Sequence, residues 1–312
     1  MTFEPDLPEE VIAAGGQQFA GWIIDRDAAW PALVDVEPEL LGLAQFETTW
    51  PVAELANDVA MVVGVGSIGG AVADSLAAMG VGHSVLVDSD RFSWHNVVRH
   101  VLGKEAVGRL KVDAMRDHLK ERWPEHTTVA LPINVASAAD LIRPMLRSVD
   151  LVVCAADGIA PRRVVSHLAR RAGIPAVLAC VLDDGGIGEI LRLRPTPGFG
   201  CLLCHRAHIA AAGGIDPEAD QELAYGTGRT HKPMTAIPTD LHAVGQLTAK
   251  VAVATLLESK HGVAMRIPGE HAVLGLRSDL DLAPPYDVSR VGQIKWDDMP
   301  APRPTCPTCS TP

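Results

Sequence analysis

From Val59 onward, short apolar runs alternate with longer stretches whose apolar positions recur at helical spacing. Val59 to Val63 is an uninterrupted apolar run of strand length, and residues 68–79 repeat apolar and alanine positions at the period of a helix. The same rhythm predicts further strands over 84–87, 128–133, 149–155 and 176–182. It predicts helices over 104–122, 136–146 and 161–172, the second shortened or kinked by Pro144 and the third closed by Gly173. Strands alternating with helices imply a doubly wound, mainly parallel Rossmann-like α/β sheet with helices on both faces. After Asp183 the pattern changes. A strand over 187–193 enters an antiparallel extension, a long Gly- and Pro-rich loop spans 196–233, a helix covers 239–260, and short strands follow at 272–276 and 291–296. Residues 1–57 carry apolar anchors (Trp22, Ile23, Ile24, Trp30, Leu33, Leu40, Leu41, Leu43 and Phe46) but no motif. They read as an N-terminal extension that packs, dimerises or binds a partner, ahead of a main domain over 58–312.

The junction of the first strand and helix carries Gly64-x-Gly66-Ser67-Ile68-Gly69. Glycines between a strand and a helix let backbone N–H groups approach a phosphate, and the helix N-terminus adds its positive dipole end. Asp88 closes the second strand, where a carboxylate can accept hydrogen bonds from a ribose hydroxyl. These features alone leave NAD, FAD, SAM and ATP open.

Composition narrows the classes. The chain has 312 residues, of which 47% are hydrophobic, and a net charge of −11. That balance argues against nucleic-acid binding, which needs a basic footprint. No apolar run reaches membrane-spanning length, and the acidic first ten residues lack the basic start and apolar core of a signal peptide. A cytoplasmic protein without a membrane anchor is expected. Four of the six cysteines form two C-x-x-C pairs, Cys201/Cys204 and Cys306/Cys309. In a reducing compartment two such pairs point to a tetrahedral structural zinc site that ties the C-terminal tail to the segment near residue 200. His205 and His208 are superfluous to a four-sulfur site. Cys154 and Cys180 fall in apolar strand runs and read as inert core thiols.

Past the second strand, Asp90, Asn96, Arg99 and Lys111 follow Asp88. An NAD site has no evident use for the arginine and lysine. A triphosphate site does, because fixed cations stabilise charge that builds on a leaving pyrophosphate. Asp157, just past the fourth strand, stands at the level where ligands bind in a doubly wound sheet, and one carboxylate with phosphate oxygens suits Mg²⁺.

Taken in order, the glycine loop, Asp88-x-Asp90, Asn96-x-x-Arg99, Gly108-x-x-Lys111, Asp157 and the two C-x-x-C pairs resemble the ThiF/MoeB/HesA superfamily of ubiquitin-activating-type adenylyltransferases over about residues 57–312. The resemblance implies that Gly64, Gly66, Ser67, Gly69, Asp88, Asp90, Asn96, Arg99 and Lys111 hold ATP and that Asp157 serves Mg²⁺. It also implies a homodimer that adenylates the C-terminal carboxylate of a small protein or peptide. The pattern departs from the family in three places. No arginine-rich N-terminal segment is recognisable, the family's T-D-N reads Ala156-Asp157-Gly158, and the glutamine after the arginine is His100. No cysteine lies between Cys204 and Cys306, so the chemistry is expected to stop at the acyl-adenylate or pass it to a separate acceptor.

The expected activity is therefore ATP- and Mg²⁺-dependent adenylation of a ubiquitin-like or sulfur-carrier protein, with Arg99, Lys111 and Asp157 as the catalytic residues. A short precursor peptide of a natural-product pathway is the alternative substrate. An NAD-dependent oxidoreductase and a catalytically inactive nucleotide-binding scaffold are the rival classes.

Overall fold

The computed structural model describes residues 21–32, 34, 50–214, 236–264, 267–279 and 281–310. The anchors Leu33, Leu40, Leu41, Leu43 and Phe46, and residues 215–235 of the expected long loop, lie outside the described residues. The chain divides into two compact units, 1–48 and 49–312. In the first, β1 (Gly21–Ile24) and β2 (Ala29–Ala32) form an antiparallel hairpin that the sequence pattern had not suggested.

The second unit is built on one sheet of eight strands. They are β3 (Val59–Val63), β4 (His83–Val87), β5 (Thr127–Leu131), β6 (Leu151–Cys154), β7 (Ala176–Leu182), β8 (Ile187–Leu193), β9 (His271–Gly275) and β10 (Ile294–Asp297). Their order across the sheet is β10-β9-β8-β7-β6-β3-β4-β5. The five strands from β7 to β5 pair in parallel, while β8, β9 and β10 extend the sheet in antiparallel fashion.

The helices of this unit are α1 (Val52–Leu55), α2 (Ser67–Ala78), α3 (Lys111–Arg122), α4 (Ala139–Met145), α5 (Ile159–Ala172), α6 (Leu202–Ala211) and α7 (Pro238–Ser259). Alternate residues of a strand face opposite sides of a sheet, and here both sides are covered. Ala60 and Val62 of β3 join a core with Leu76 of α2, Met115 of α3 and Leu256 of α7. Met61 and Val63 face the other way, towards Ile142 of α4 and Val165 and Leu168 of α5. That two-sided burial is why β3, β6 and β7 read as continuous apolar runs. A buried ion-pair cluster locks the lower end of the fold: Asp58, fully buried before β3, meets Lys260 Nζ and His261 Nε2, each at 2.8 Å, just past α7.

Three local differences from the sequence pattern have simple causes. The helix expected over 104–122 is broken into a 3-10 turn, Lys104–Ala106, and α3, because Gly108 takes a positive φ of 86° between them. The helix expected over 136–146 ends its regular hydrogen bonding near Pro144 and finishes as a 3-10 turn, Leu146–Ser148. The segment after residue 196 contains α6, hidden in the sequence by the flanking glycines and by its own Cys and His content. Among the described residues no helix is long and apolar enough to cross a membrane.

Candidate functional site

The strand order reverses between β3 and β6, so the crevice at their carboxyl ends is a topological switch point. A cavity of about 620 Å³ opens there. Gly64, Gly66, Ser67, Asp88, Asp90, Asn96, Arg99, Lys111 and Asp157 all line it. Gly69 stands behind the lining and makes the turn possible: a Cβ there would sit 1.8 Å from the Gly64 carbonyl oxygen. Gly64 has φ +83°, and a Cβ on it would come within 2.4 Å of the Ala156 backbone, so the loop after β3 lies flat against the loop after β6.

Asp88 staples this floor. Its Oδ2 accepts the Val65 N–H at 2.7 Å and its Oδ1 accepts the Asp90 N–H at 2.8 Å. Burial raises its carboxyl above the usual carboxylate range, against the opposing pull of Lys111. The residues after Asp90 fold back onto the approach to α3: the Phe92 N–H donates to the Arg109 carbonyl and the Lys111 N–H to the Asp90 carbonyl, at 2.8 and 2.9 Å. That ladder delivers Lys111, the first residue of α3, to the cavity, where its Nζ meets Asp90 Oδ2 at 2.8 Å. Asn96 is buried and caps its own turn, its Oδ1 accepting the Ser93 N–H at 2.8 Å. Arg99 follows on the same turn, and its carbonyl is held by His242 Nε2 of α7 at 3.0 Å.

Across the cavity, Asp157 follows β6 and is accessible from the open side. Desolvation raises its carboxyl above the usual carboxylate range, while the charges of Lys111 and Arg99 act to lower it. Two cations and a carboxylate from three separate segments thus act on one another through the same space.

His100 is a residue whose role the sequence pattern did not reveal. Leu102 N–H donates to its Nδ1 at 3.1 Å, so Nε2 carries the proton and donates to the Val65 carbonyl of the glycine loop at 3.0 Å. Burial lowers its pKa to about 4, which keeps the ring neutral at pH 7. Only its position beside Arg99 hinted at this.

The two strand thiols differ. Cys154 is fully buried, and burial lifts its pKa to about 11, in keeping with an inert core thiol. Cys180, by contrast, is half-buried at the cavity wall, with Arg162 Nη1 at 2.9 Å from its sulfur. Its place near the C-terminal end of β7 brings it to the cavity.

The four paired cysteines come together away from the cavity. Cys201 Sγ lies 4.0 Å from Cys204 and 3.5 Å from Cys306, and Cys204 lies 3.9 Å from Cys309. The Arg303 N–H points at Cys204 Sγ from 3.3 Å. The tail is fixed beside them, with Thr308 Oγ1 3.2 Å from His167 Nδ1 of α5.

A model of the ThiF family matches residues 43–268. The chain belongs to the ThiF family. Among relatives, this ThiF-family chain is 31% identical over 151 residues to the adenylyltransferase and sulfurtransferase MOCS3 of Caenorhabditis briggsae, covering 48% of this chain and 37% of that protein. It is 30% identical over 144 residues to the molybdopterin-synthase adenylyltransferase of Salmonella typhimurium, covering 46% and 57%. The chain therefore matches between about a third and somewhat more than half of these relatives' length. In fold it is similar to E. coli MccB solved with ATP (TM-score 0.60, 22% identity, 83% of this chain and 68% of that one). It is also similar in fold to PaaA (TM-score 0.59, 15% identity, 72% of each chain).

Proposed function

We propose that this ThiF-family chain is an adenylyltransferase that uses ATP and Mg²⁺ to activate the C-terminal carboxylate of a small ubiquitin-like or sulfur-carrier protein. The observation that carries the reading is the convergence of Arg99, Lys111 and Asp157 on the cavity above the glycine loop. A dinucleotide site needs the loop and Asp88 but has no task for two cations facing a carboxylate.

An ionised carboxylate is already a nucleophile, so attack on the α-phosphorus requires no general base. Catalysis then rests on alignment and charge neutralisation. The glycine loop N–H groups and the N-terminus of α2 hold phosphate oxygens. Arg99 and Lys111 neutralise charge on the departing pyrophosphate. Asp88 receives the ribose hydroxyls, and Asp90 and Asn96 shape the wall beside it. Asp157 suits a divalent ion held by one carboxylate and the phosphates, and such an ion supplies further charge neutralisation.

The four cysteines suit a structural zinc ion. Tetrahedral Zn–S bonds of about 2.3 Å place sulfurs roughly 3.8 Å apart, and the measured separations run from 3.5 to 4.0 Å. The metal would anchor the C-terminal tail and take no part in the reaction. The homodimer belongs to the same reading, as does a partner-binding role for residues 1–57, where Trp22, Ile23, Ile24 and Trp30 of the hairpin are exposed.

A precursor peptide is the second reading. The similarity in fold to MccB, described as a microcin C7 biosynthetic enzyme and solved in complex with N-formylated MccA, favours keeping it. ATP–pyrophosphate exchange separates these readings from the rivals. Adenylation gives exchange that depends on a free C-terminal carboxylate. A scaffold binds ATP without exchange, and an oxidoreductase binds NAD instead.

A further inference from the structure

Where β8, β9 and α6 meet lies a second convergence of metal-ligating groups, separate from the four thiols. We propose that Glu189, His205 and His271 form a zinc site distinct from the cysteine cluster. One ligand atom from each lies within 4.8 Å of the others, and all three residues are buried. They come from three elements, β8, α6 and β9.

The feature that points to an ion is His205. Its residue is 3% exposed, and among the described residues neither ring nitrogen meets a hydrogen-bonding partner. The Nδ1 of fully buried His271 is likewise without one. A buried polar atom left unpaired costs about 1–3 kcal/mol, and an ion bound through one His205 nitrogen gives that ring a partner. The His205 and His271 rings lie edge to face with centroids 4.5 Å apart, so the two imidazoles are direct neighbours.

Two imidazoles and a carboxylate are a zinc donor set, with Zn–N and Zn–O bonds of about 2.0–2.2 Å that hold neighbouring ligand atoms roughly 3.0–3.5 Å apart. His271 Nε2 and Glu189 Oε1 already stand 3.1 Å apart. The surroundings are those of an oriented ligand. Arg206 grips both carboxylate oxygens of Glu189, Nη1 on Oε1 at 2.7 Å and Nη2 on Oε2 at 2.5 Å, and the Tyr286 hydroxyl donates to Oε1 at 2.8 Å. Such outer contacts fix a ligating carboxylate. With the ion bound, Arg206 and Tyr286 keep their contacts to the carboxylate and the ion takes the place of the His271 contact at Oε1. The C-x-x-C thiols do not need His205, and this site gives it a task.

The test uses the full chain, purified and dialysed against a weak chelator. The expected result is about two zinc ions per chain, with a mixed sulfur and nitrogen/oxygen shell by X-ray absorption. The double variant His205→Gln/His271→Gln is expected to keep about one, all of it sulfur-bound. Cobalt substitution gives an independent reading: thiolate charge-transfer bands stay in the variant while the nitrogen/oxygen-type bands vanish. A single zinc in a pure sulfur shell in the wild type, also after Zn²⁺ is added back, would overturn the proposal. So would a second ion that the weak chelator strips, marking adventitious binding, or one that survives in the variant. The wild-type absorption measurement decides the matter even where the variant does not fold.

Discussion

Lys111 and Asp90 are 21 residues apart in sequence, yet the Lys111 ammonium rests 2.8 Å from the Asp90 carboxylate at the edge of the cavity. The lysine side chain is 12% exposed and the aspartate 66%. The cation is thus fixed by the fold, and its partner is largely in water. Lys111→Met is expected to lower the rate of adenylate formation by about 10²–10³-fold, the scale for losing one fixed group that stabilises developing charge. Its thermal midpoint is expected to change little, because the abandoned carboxylate is solvated. Exchange kinetics set beside a thermal melt check both halves. An unchanged rate would remove Lys111 from the phosphate site.

His100 ties Arg99's turn to the glycine loop, so it acts through backbone placement. His100→Ala is expected to raise the KM for ATP about tenfold, the consequence of losing one buried hydrogen bond worth roughly 1.5 kcal/mol. His100→Gln, which can donate to the Val65 carbonyl and accept from Leu102 N–H, is expected to restore most of it. Equal KM values in all three proteins would contradict the placement role.

The same residue makes a pH prediction. Its folded pKa of about 4 lies below the ordinary histidine value. Between about pH 6.5 and pH 4 the unfolded chain therefore binds the extra proton and the folded chain does not. Stability contributed by neutral His100 is complete above about pH 6.5 and is lost as pH falls towards 4, with a limiting slope of about 1.4 kcal/mol per pH unit. Urea melts of wild type and His100→Gln are expected to lie close together near neutral pH and to separate as pH falls through that window, the wild type losing stability that the variant keeps. Parallel curves would refute the assignment.

Gly64 carries a purely steric prediction. With φ +83° and 2.4 Å between a would-be Cβ and the Ala156 backbone, Gly64→Ala is expected to destabilise the fold by about 3 kcal/mol or to force the two loops apart. Urea denaturation measures it. A loss under about 0.5 kcal/mol would mean that the loops do not touch.

The architecture was readable where burial is two-sided. Val59–Val63 and Leu151–Cys154 are apolar throughout because helices cover both faces, and the glycine spacing located the turn between β3 and α2. The β1–β2 hairpin was not readable, since Trp22, Ile23 and Ile24 are consecutive and all exposed, which leaves no inside-outside alternation. At the site, spacing from Asp88 to Lys111 pointed to a group of residues but not to what each one touches. Asn96 caps its own turn and Asp88 holds the loop backbone, contacts that depend on backbone direction rather than residue type. Cys180 was misread as core because strand alternation alone does not tell which end of β7 opens onto the cavity. His205 looked redundant beside Cys204, and only the tertiary arrangement brings it to Glu189 and His271.

The most direct measurement of the central claim is Mg²⁺-dependent ATP–pyrophosphate exchange by the full chain, assayed with small proteins and peptides bearing a free C-terminal carboxylate and with the same molecules amidated. Arg99→Ala runs alongside. Exchange with free C-termini, none with amidated ones, and a loss of about 10²-fold or more in Arg99→Ala is the predicted result. Exchange that persists with amidated partners or survives intact in Arg99→Ala, or a cavity that binds NAD and not ATP, would contradict it.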